Sequence, residues 1–362
     1  MQGLVPNFTV PMLVTVLFIA ALRPTARYIG LVDRPGGRKS HNGEVPLVGG
    51  ICMLAGLLLG GGSVASLTIH PSLFVGAALL ALVGCLDDRF DLRPGYRLVA
   101  QAVAGGIAIA GGVVVTSLGN FSGGPLELGL LAIPFTLLTF MSFANAFNWQ
   151  DGSDGLAGGQ ALVALGALLI ADFYSGSASH VELIVALMGC VVAFLAFNAP
   201  FRAERTASLF MGDAGALFLG FALAWLAILM SQGEDAVLSP ATVLWIGALP
   251  VLDFFGSMAR RVATGRWPLS GDAEHLHHLL ARAGLTRRAL FVAEMLACFV
   301  LATVGLVGHF LQLSESLMLG TMTVVGIGYY YVFCSGRFFQ RQGDPVPTQP
   351  RRWYLELPPP RG

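Results

Sequence analysis

Five short polar segments of this sequence gather carboxylates, amides and histidines between long apolar stretches. They are DRPGGRKSH from Asp33, DDRFDLRPGYR from Asp87, NAFNWQDGSDGLAGG from Asn145, FMGDAG from Phe210 and GDAEHLHH from Gly271. The candidate reactive carboxylates among them are Asp87, Asp88, Asp151, Asp154 and Asp213. Oxygen ligands in this number, without a cysteine and histidine set, favour Mg²⁺ or Mn²⁺ over zinc. Magnesium held by one or two carboxylates, waters and phosphates is the usual arrangement in phosphoryl chemistry.

Asp87 and Asp88 directly follow an apolar run. Two adjacent acids close to hydrocarbon need a metal, a nearby cation or a raised pKa to offset their charge. Arg89, Arg93 and Arg97 are near enough in sequence to supply the cation. The alternative is that the pair only ends a membrane helix at the level of the lipid headgroups.

The third segment combines amides, acids and glycines. Asn145 and Asn148 are three residues apart, as are Asp151 and Asp154, so a helical turn would place each pair on one face. The glycines among them permit tight turns or a close approach of the backbone to a phosphate. The structural alternative is a turn with Asp154 as a helix N-cap. Asp213, between glycines at the start of another apolar run, is likewise either a cap or a metal ligand.

Histidines mark the last polar segment. On a helix His275 and His278 would share a face, and His277 would point elsewhere. Zinc is disfavoured because no cysteines accompany them. Contacts of these imidazoles with a diphosphate or a sugar fit better, and a solvated polar loop is the alternative. Lys39 and His41, in the first segment, are candidates for phosphate contact or, alternatively, a basic membrane anchor.

The composition is that of a multi-pass membrane protein. The 362 residues are 55% hydrophobic and 12% charged, with a mean hydropathy of +0.72, whereas soluble domains carry roughly 25% charged residues. No basic stripe alternates with aromatic residues, which argues against nucleic-acid binding. The five cysteines are widely spaced in apolar stretches, which argues against disulfides.

Eleven apolar runs approach the length of a membrane crossing, near 5–22, 47–69, 72–86, 98–118, 128–147, 156–174, 181–199, 214–231, 237–258, 290–311 and 315–334. With the N-terminus outside, all 21 Lys and Arg residues fall on the cytoplasmic side, as the positive-inside rule requires. The sequence therefore predicts an all-α polytopic membrane protein with about 11 transmembrane helices and a cytoplasmic C-terminus. All five polar segments then share the cytoplasmic face.

Asp253 is the clearest acid inside a predicted span. An intramembrane acid is a functional candidate by default. An ion pair with Arg260 or Arg261, about two turns later, is the structural alternative. Residues 1–336 are interpreted as one integral domain, and 337–362 as a Pro-rich cytoplasmic tail.

Taken together, the motifs DRPGGRKSHNGEVPLVGG, LDDRFDLRP, NAFNWQDGSDGLAGG, FMGDAG and EHLHHLL resemble the polyprenyl-phosphate N-acetylhexosamine-1-phosphate transferases. The order of the motifs is the same from about Asp33 to Leu280. The chain looks most like the bacterial undecaprenyl-phosphate N-acetylglucosaminyl-1-phosphate transferases, because the last loop reads His-Leu-His-His and not three consecutive histidines.

The resemblance implies an enzyme of the bacterial inner membrane with its active site facing the cytoplasm. It would transfer N-acetylglucosamine-1-phosphate from UDP-N-acetylglucosamine to undecaprenyl phosphate with Mg²⁺ or Mn²⁺, releasing UMP. The product would initiate O-antigen, enterobacterial common antigen or a related envelope polysaccharide. The oligomeric state, including a homodimer, is left open.

The resemblance also assigns roles by motif position. Catalytic roles fall on Asp87, Asp88, Asp151, Asp154 and Asp213, with Asp87 as the proposed base and Asp213 and Asp154 as metal ligands. Substrate binding falls on Lys39, His41, Arg97, Asn145, Asn148, Arg261, His275, His277 and His278. Alternatives are another UDP-sugar, including UDP-N-acetylmuramoyl-pentapeptide, and, much less favoured, a membrane transporter, which should carry its polar groups at mid-membrane.

Overall fold

The computed structural model describes residues 3–34, 43–60, 70–121, 123–176, 178–201, 207–234, 236–269 and 274–335. Lys39, His41 and the predicted tail from 337 lie outside these residues. The described chain is mostly helical, as predicted. Two small antiparallel hairpins, which the sequence did not predict, interrupt the helices.

The helices are α1 (Leu4–Ile29), α2 (Gly49–Gly60), α3 (Pro71–Phe90), α4 (Pro94–Ala110), α5 (Ala132–Gln150), α6 (Leu156–Tyr174), α7 (Val181–Asn198), α8 (Gly212–Leu229), α9 (Pro240–Ile246), α10 (Ala248–Ala263), α11 (Leu276–Arg282), α12 (Arg287–Phe310) and α13 (Glu315–Tyr329). A 3₁₀ turn at Gly129–Leu131 precedes α5, and a π turn at Tyr330–Cys334 follows α13. The strands are β1 (Val32–Asp33), β2 (Val45–Pro46), β3 (Ser117–Phe121) and β4 (Gly124–Glu127), paired β1 with β2 and β3 with β4.

Among the described residues, seven helical segments are long and apolar enough to cross a membrane. They are Leu4–Ile29, Gly129–Gln150, Leu156–Tyr174, Val181–Asn198, Gly212–Leu229, Arg287–Phe310 and Glu315–Cys334. This result fits an all-α membrane protein, and the predicted count of eleven spans stays a prediction. Exposed apolar side chains on α1, such as Leu13 and Leu17, are those expected of a surface that faces lipid.

The predicted span at 237–258 is a broken helix and not a continuous one. α9 and α10 meet at Gly247 with a bend of 83°. Pro250 has no N–H for the carbonyl of Ile246, so the helical hydrogen-bond ladder is interrupted there. The pair counts as an eighth crossing segment only if both limbs form one span. The bend turns α10, with Asp253, Arg260 and Arg261, away from the α9 axis.

α8 is the centre of the bundle. Sixteen of its 18 residues are buried, and it packs against α2, α3 and α5. Small residues permit these close contacts, because a Cβ on Gly50 of α2 would clash with the backbone of Gly215, and one on Gly84 of α3 with the backbone of Ala214. Without a hydrophobic driving force between helices in lipid, such close backbone packing is a main source of their association.

The segment before α8 is fixed by backbone hydrogen bonds to β2 and to the first residues of α2. The Phe210 amide donates to the Pro46 carbonyl (2.8 Å), and the Gly49 amide donates to the Phe210 carbonyl (3.0 Å). The Gly50 amide donates to the Met211 carbonyl (2.9 Å). These bonds set the position at which α8 begins, and therefore the position of Asp213 in its first turn.

We expect Gly50→Ala to lower the stability of the protein by about 1–3 kcal/mol, the usual cost of overpacking, because backbone rather than a flexible side chain blocks the added methyl group. Gly106→Ala is the matched control, since Gly106 lies in α4 with open space around its Cβ position. The measurement is the thermal unfolding midpoint in detergent. Equal midpoints for the two variants would contradict the proposed role of the α2–α8 contact.

Candidate active site

Acidic and amide side chains from four elements meet at one end of the bundle. Asp87 and Asp88 lie in the last turn of α3, and Arg97 lies in the first turns of α4. Asn148 lies near the end of α5, and Asp213 lies in the first turn of α8. The helix contacts α3–α8, α3–α4 and α5–α8 bring these ends together. Residues from three of the five polar segments therefore share one site, as the sequence predicts.

Arg97 lies between two carboxylates that are distant in sequence. Its Nη1 atom is 2.8 Å from Asp87 Oδ2 and 2.7 Å from Asp213 Oδ2. Asp213 also accepts a hydrogen bond from Asn148 Nδ2 (2.7 Å), and Asp87 accepts one from the Leu92 amide (2.7 Å). Arg97 and Asp213 each keep about a quarter to a third of their side-chain surface exposed, at 30% and 26%. The pair is therefore open to a ligand, whereas Asp87 is nearly enclosed.

Asp88 accepts hydrogen bonds from the first amides of α8. These come from the backbone N–H of Asp213 (3.1 Å) and of Ala214 (3.4 Å). Gly212 precedes them with φ of +71°, and a Cβ there would press against the Asp88 carboxylate. A carboxylate at a helix N-terminus is favourable because it satisfies amides that lack an intrahelical partner. Asp88 thus joins α3 to α8, a role that the sequence could not show.

Burial is the main factor that raises the pKa of Asp87 and Asp88, which lie beyond the apolar part of α3, above the usual range for aspartate. The neighbouring Asp213 carboxylate adds to the shift in both cases. Arg97 opposes the shift at Asp87. Asp87 and Asp88 therefore hold protons more tightly than isolated aspartates, and a bound cation would relieve the repulsion from Asp213.

Asp151 and Asp154 lie in a turn between α5 and α6 rather than on a helical face. Asp151 is only partly exposed and lies among other acids. Its burial, and then the charges of Asp213 and Asp88, raise its pKa well above the usual range. Asp154 accepts from the Ala207 amide (3.4 Å) and lies 3.6 Å from Arg287. It is not the N-cap of α6, which begins after Gly155 without a side-chain cap.

Asn145 faces a different partner from Asn148. Its amide exchanges two hydrogen bonds with Gln101 of α4, at 2.7 and 3.3 Å, and donates to the Met141 carbonyl (2.7 Å). Asn145 and Gln101 therefore hold α4, which carries Arg97, against α5. The three-residue spacing that suggested a common role for Asn145 and Asn148 places only Asn148 on Asp213.

The histidine segment forms the second half of the site. His277 is 2% exposed, and among the described residues neither ring nitrogen has a hydrogen-bond partner. The ring stacks near His275 and His278, with centroids 6.0 and 4.2 Å away. A Cβ on Gly152 would lie 2.7 Å from His277 Nε2. His277 thus contacts the turn that carries Asp151, which connects the two halves.

Arg261 and His275 are placed by contacts that the sequence did not reveal. The Arg261 guanidinium carbon lies 4.3 Å from the Trp149 ring centroid, and the His275 ring is 4.9 Å from that of Trp149. Arg261 is fully buried. The ion pair considered between Asp253 and an arginine is not what the structure shows, because Asp253 pairs with His275 (2.8 Å) and Arg260 pairs with Glu274 (3.0 Å).

The described carboxylates have the oxygen chemistry that suits magnesium, but they form no ready-made cage. No group of three or more His, Cys, Asp or Glu side chains in the described residues converges on one metal position. Arg97 instead lies between Asp87 and Asp213. Because magnesium commonly takes only one or two carboxylates and completes its shell with waters and phosphates, these residues fit a metal that arrives with a diphosphate.

His277→Leu should make the protein less sensitive to acid. Burial, and then the charge of His278, lower the pKa of His277 to about 3. Below the unfolded-state pKa of about 6.5, the unfolded chain therefore binds a proton that the folded chain does not, and stability falls by up to about 1.4 kcal/mol per pH unit. We expect the unfolding midpoint in detergent to drop less between pH 7 and pH 5 in His277→Leu than in the wild type. The control is His278→Leu at a half-buried position, and identical pH dependence in all three proteins would contradict the assignment.

Comparison with known proteins identifies the family. The model of glycosyl transferase family 4 matches residues 70–231, a range that contains all five candidate carboxylates. The chain is 36% identical over 323 residues to the undecaprenyl-phosphate alpha-N-acetylglucosaminyl 1-phosphate transferase of Escherichia coli O157:H7, and the aligned region covers 88% of each protein. It is 37% identical over 324 residues to the protein of that name from Yersinia pestis, again with 88% of each covered. The protein of Escherichia coli strain K12 is 37% identical over 301 residues, with 82% of each chain covered. The resemblance in the motifs is thereby confirmed, and the chain belongs to glycosyl transferase family 4.

Proposed function

We propose that this protein transfers N-acetylglucosamine-1-phosphate from UDP-N-acetylglucosamine to undecaprenyl phosphate, with release of UMP. The relatives that match over most of the chain carry that activity in their names. The observation that carries the proposal is the arrangement of Arg97 between Asp87 and Asp213, with Asn148 on the same carboxylate. It places a cation, hydrogen-bond donors and exposed oxygen ligands together where two anionic substrates would have to meet.

In the proposed reaction an oxygen of the lipid phosphate attacks the sugar-bearing phosphorus of the donor. A new bond forms between that oxygen and phosphorus, and the bond to the oxygen of UMP breaks. Arg97 would reduce the repulsion between the two substrates, as positive groups do in phosphoryl transfer. The second pKa of a phosphomonoester is about 6, so the lipid phosphate is mostly dianionic at neutral pH. Asp87 is therefore proposed as a base for the protonated fraction only.

Magnesium or manganese is proposed as the cofactor. Asp213, with Asp154, would hold it, and Asp151 and Asp88 are the neighbouring acids. When bound, the ion would supply positive charge to the phosphoryl oxygens and to the leaving phosphate. Asn148 orients Asp213 by its hydrogen bond. The hydrogen bonds that Asp88 accepts from the first backbone amides of α8 fix the helix that carries Asp213.

The proposed setting is the bacterial inner membrane, with the site on the cytoplasmic face. The eleven-span topology predicted from the sequence supports this orientation, because with the N-terminus outside it leaves all Lys and Arg residues on one side. The product would then start O-antigen, enterobacterial common antigen or a related polysaccharide. Lys39 and His41 are proposed phosphate contacts on sequence grounds alone.

The direct test is UMP release by purified protein with undecaprenyl phosphate, magnesium and a panel of UDP-sugars. We expect turnover with UDP-N-acetylglucosamine, abolished by a chelator and reduced by about 100-fold or more in Asp213→Asn, since that change removes a carboxylate proposed to hold the metal and so weakens the positive charge at the transition state. Glu127→Gln, an exposed acid on the β3–β4 hairpin, is the control and should keep full activity. Turnover of a different UDP-sugar would refute the donor assignment, and inactivity with every donor would refute the transferase proposal.

Arg97→Gln should reduce kcat/KM by about 100-fold, the scale of removing one electrostatic stabiliser, because Asp87 and Asp213 then lose their shared cation. Arg93→Gln is the matched control, since Arg93 is exposed in the preceding turn of the same segment. The same UMP assay, run against both substrates, measures the change. Equal activity of the two variants would show that Arg97 has no part in the reaction.

A further inference from the structure

A buried carboxylate outside the carboxylate cluster organises the histidine segment. Asp253, on α10, is 1% exposed. Its Oδ1 atom accepts from the Tyr329 hydroxyl (2.8 Å) and the Leu276 amide (2.9 Å). Its Oδ2 atom faces His275 Nδ1 (2.8 Å) and accepts from Gln150 Nε2 (3.1 Å). A buried charge needs such a full set of donors, and here the two oxygens serve different neighbours.

The partners of His275 define its tautomer. The Nδ1 atom faces the Asp253 carboxylate, which can only accept, and Ser257 Oγ at the longer distance of 3.3 Å, which can accept as well, so Nδ1 carries the proton. The Nε2 atom lies 3.3 Å from Arg261 Nη2, and a guanidinium can only donate. An imidazolium would oppose N–H to N–H and positive charge to positive charge at that contact. The neutral Nδ1–H form is therefore the one that satisfies Asp253 and Arg261 together.

We propose that Asp253 is a positioning residue for the histidine half of the site, the half that would bind the UDP-sugar donor. Asp253 fixes His275 as the Nδ1–H tautomer and through His275 holds Arg261 over Trp149. Trp149 follows Asn148 in the sequence, and the side-chain amide of Asn148 donates a hydrogen bond to Asp213. The chain of contacts therefore ends beside the carboxylate cluster. Outer partners that fix the tautomer of a histidine are a recurrent way to set a functional group in place. The kinetic part of this inference rests on the proposed function, whereas its structural part does not.

The competing explanation is that Asp253 only ties α10, α11 and α13 together. The two oxygens separate the explanations, because the bonds to Tyr329 and Leu276 use Oδ1 and the bond to His275 uses Oδ2. Tyr329→Phe removes a scaffold bond and leaves His275 untouched. Asp253→Asn can keep an acceptor for Tyr329 and Leu276 while it presents an amide N–H to His275 Nδ1, which drives the proton to Nε2 and against Arg261.

The first measurement is ¹⁵N NMR of the full-length protein in detergent, with labelled histidine and His275→Gln to assign the signal. The wild type should show His275 as the Nδ1–H tautomer, Tyr329→Phe should keep it, and Asp253→Asn should lose it. A wild-type His275 protonated on Nε2 would overturn the proposal without any Asp253 variant, so the test survives a variant that fails to fold.

The second measurement is the kinetics of UMP release. Asp253→Asn should raise the KM for the UDP-sugar or lower kcat by about tenfold or more, as loss of such outer partners does, with the KM for undecaprenyl phosphate unchanged. The double variant Asp253→Asn with His275→Gln should be no worse than His275→Gln alone, because both act through the same ring. Additive losses, or an equal loss in Tyr329→Phe, would identify a scaffold role and refute the proposal. An inactive wild type would refute the proposed function, and the NMR measurement would still decide the tautomer.

Discussion

The site depends on keeping several carboxylates together at the end of an apolar bundle. Asp87, Asp88, Asp151 and Asp213 repel one another and lose hydration there, and either effect alone would favour their neutral forms. The shared contact of Arg97 with Asp87 and Asp213 offsets part of that repulsion. A bound metal cation would relieve the repulsion that remains, and this is the physical reason why a cation is proposed at this site.

Close packing of backbones makes this clustering possible. α8 begins in contact with α2 and α3 through positions that admit no Cβ, at Gly50 and Gly84. The loop before α8 is fixed to β2 and to the first residues of α2 by backbone amide and carbonyl groups, which do not depend on the side chains. The Asp88 carboxylate then accepts hydrogen bonds from the first backbone amides of α8. Asp213 is thus placed by main-chain interactions and by Asp88, which leaves its own oxygens for Arg97, Asn148 and a ligand.

The end of α5 joins the two halves of the site. Asn148 donates a hydrogen bond to Asp213 in the carboxylate half. The next residue, Trp149, packs against Arg261 in the histidine half. Gly152 makes room for His277 just beyond. The bend between α9 and α10 brings Asp253 to His275, so a polar group inside an apolar helix serves the histidine segment instead of an arginine. A shift of the α5 end would therefore disturb both halves together.

The sequence alone determined that the chain is a helical membrane protein, which motifs are candidates for its chemistry and which family it resembles, because composition, hydropathy and motif order are local properties. It also predicted that the carboxylates of three segments would lie at the same face of the membrane. Only the tertiary structure decided which partners the polar side chains have. Asn145 forms hydrogen bonds with Gln101 and not with Asp213, and Asp253 pairs with His275 and not with Arg261. The break at Gly247, the cap that Asp88 forms on α8 and the buried His277 ring were likewise decided there. Hydrogen-bond partners depend on how helices distant in sequence are rotated and bent against one another, and spacing along the chain contains no information about that.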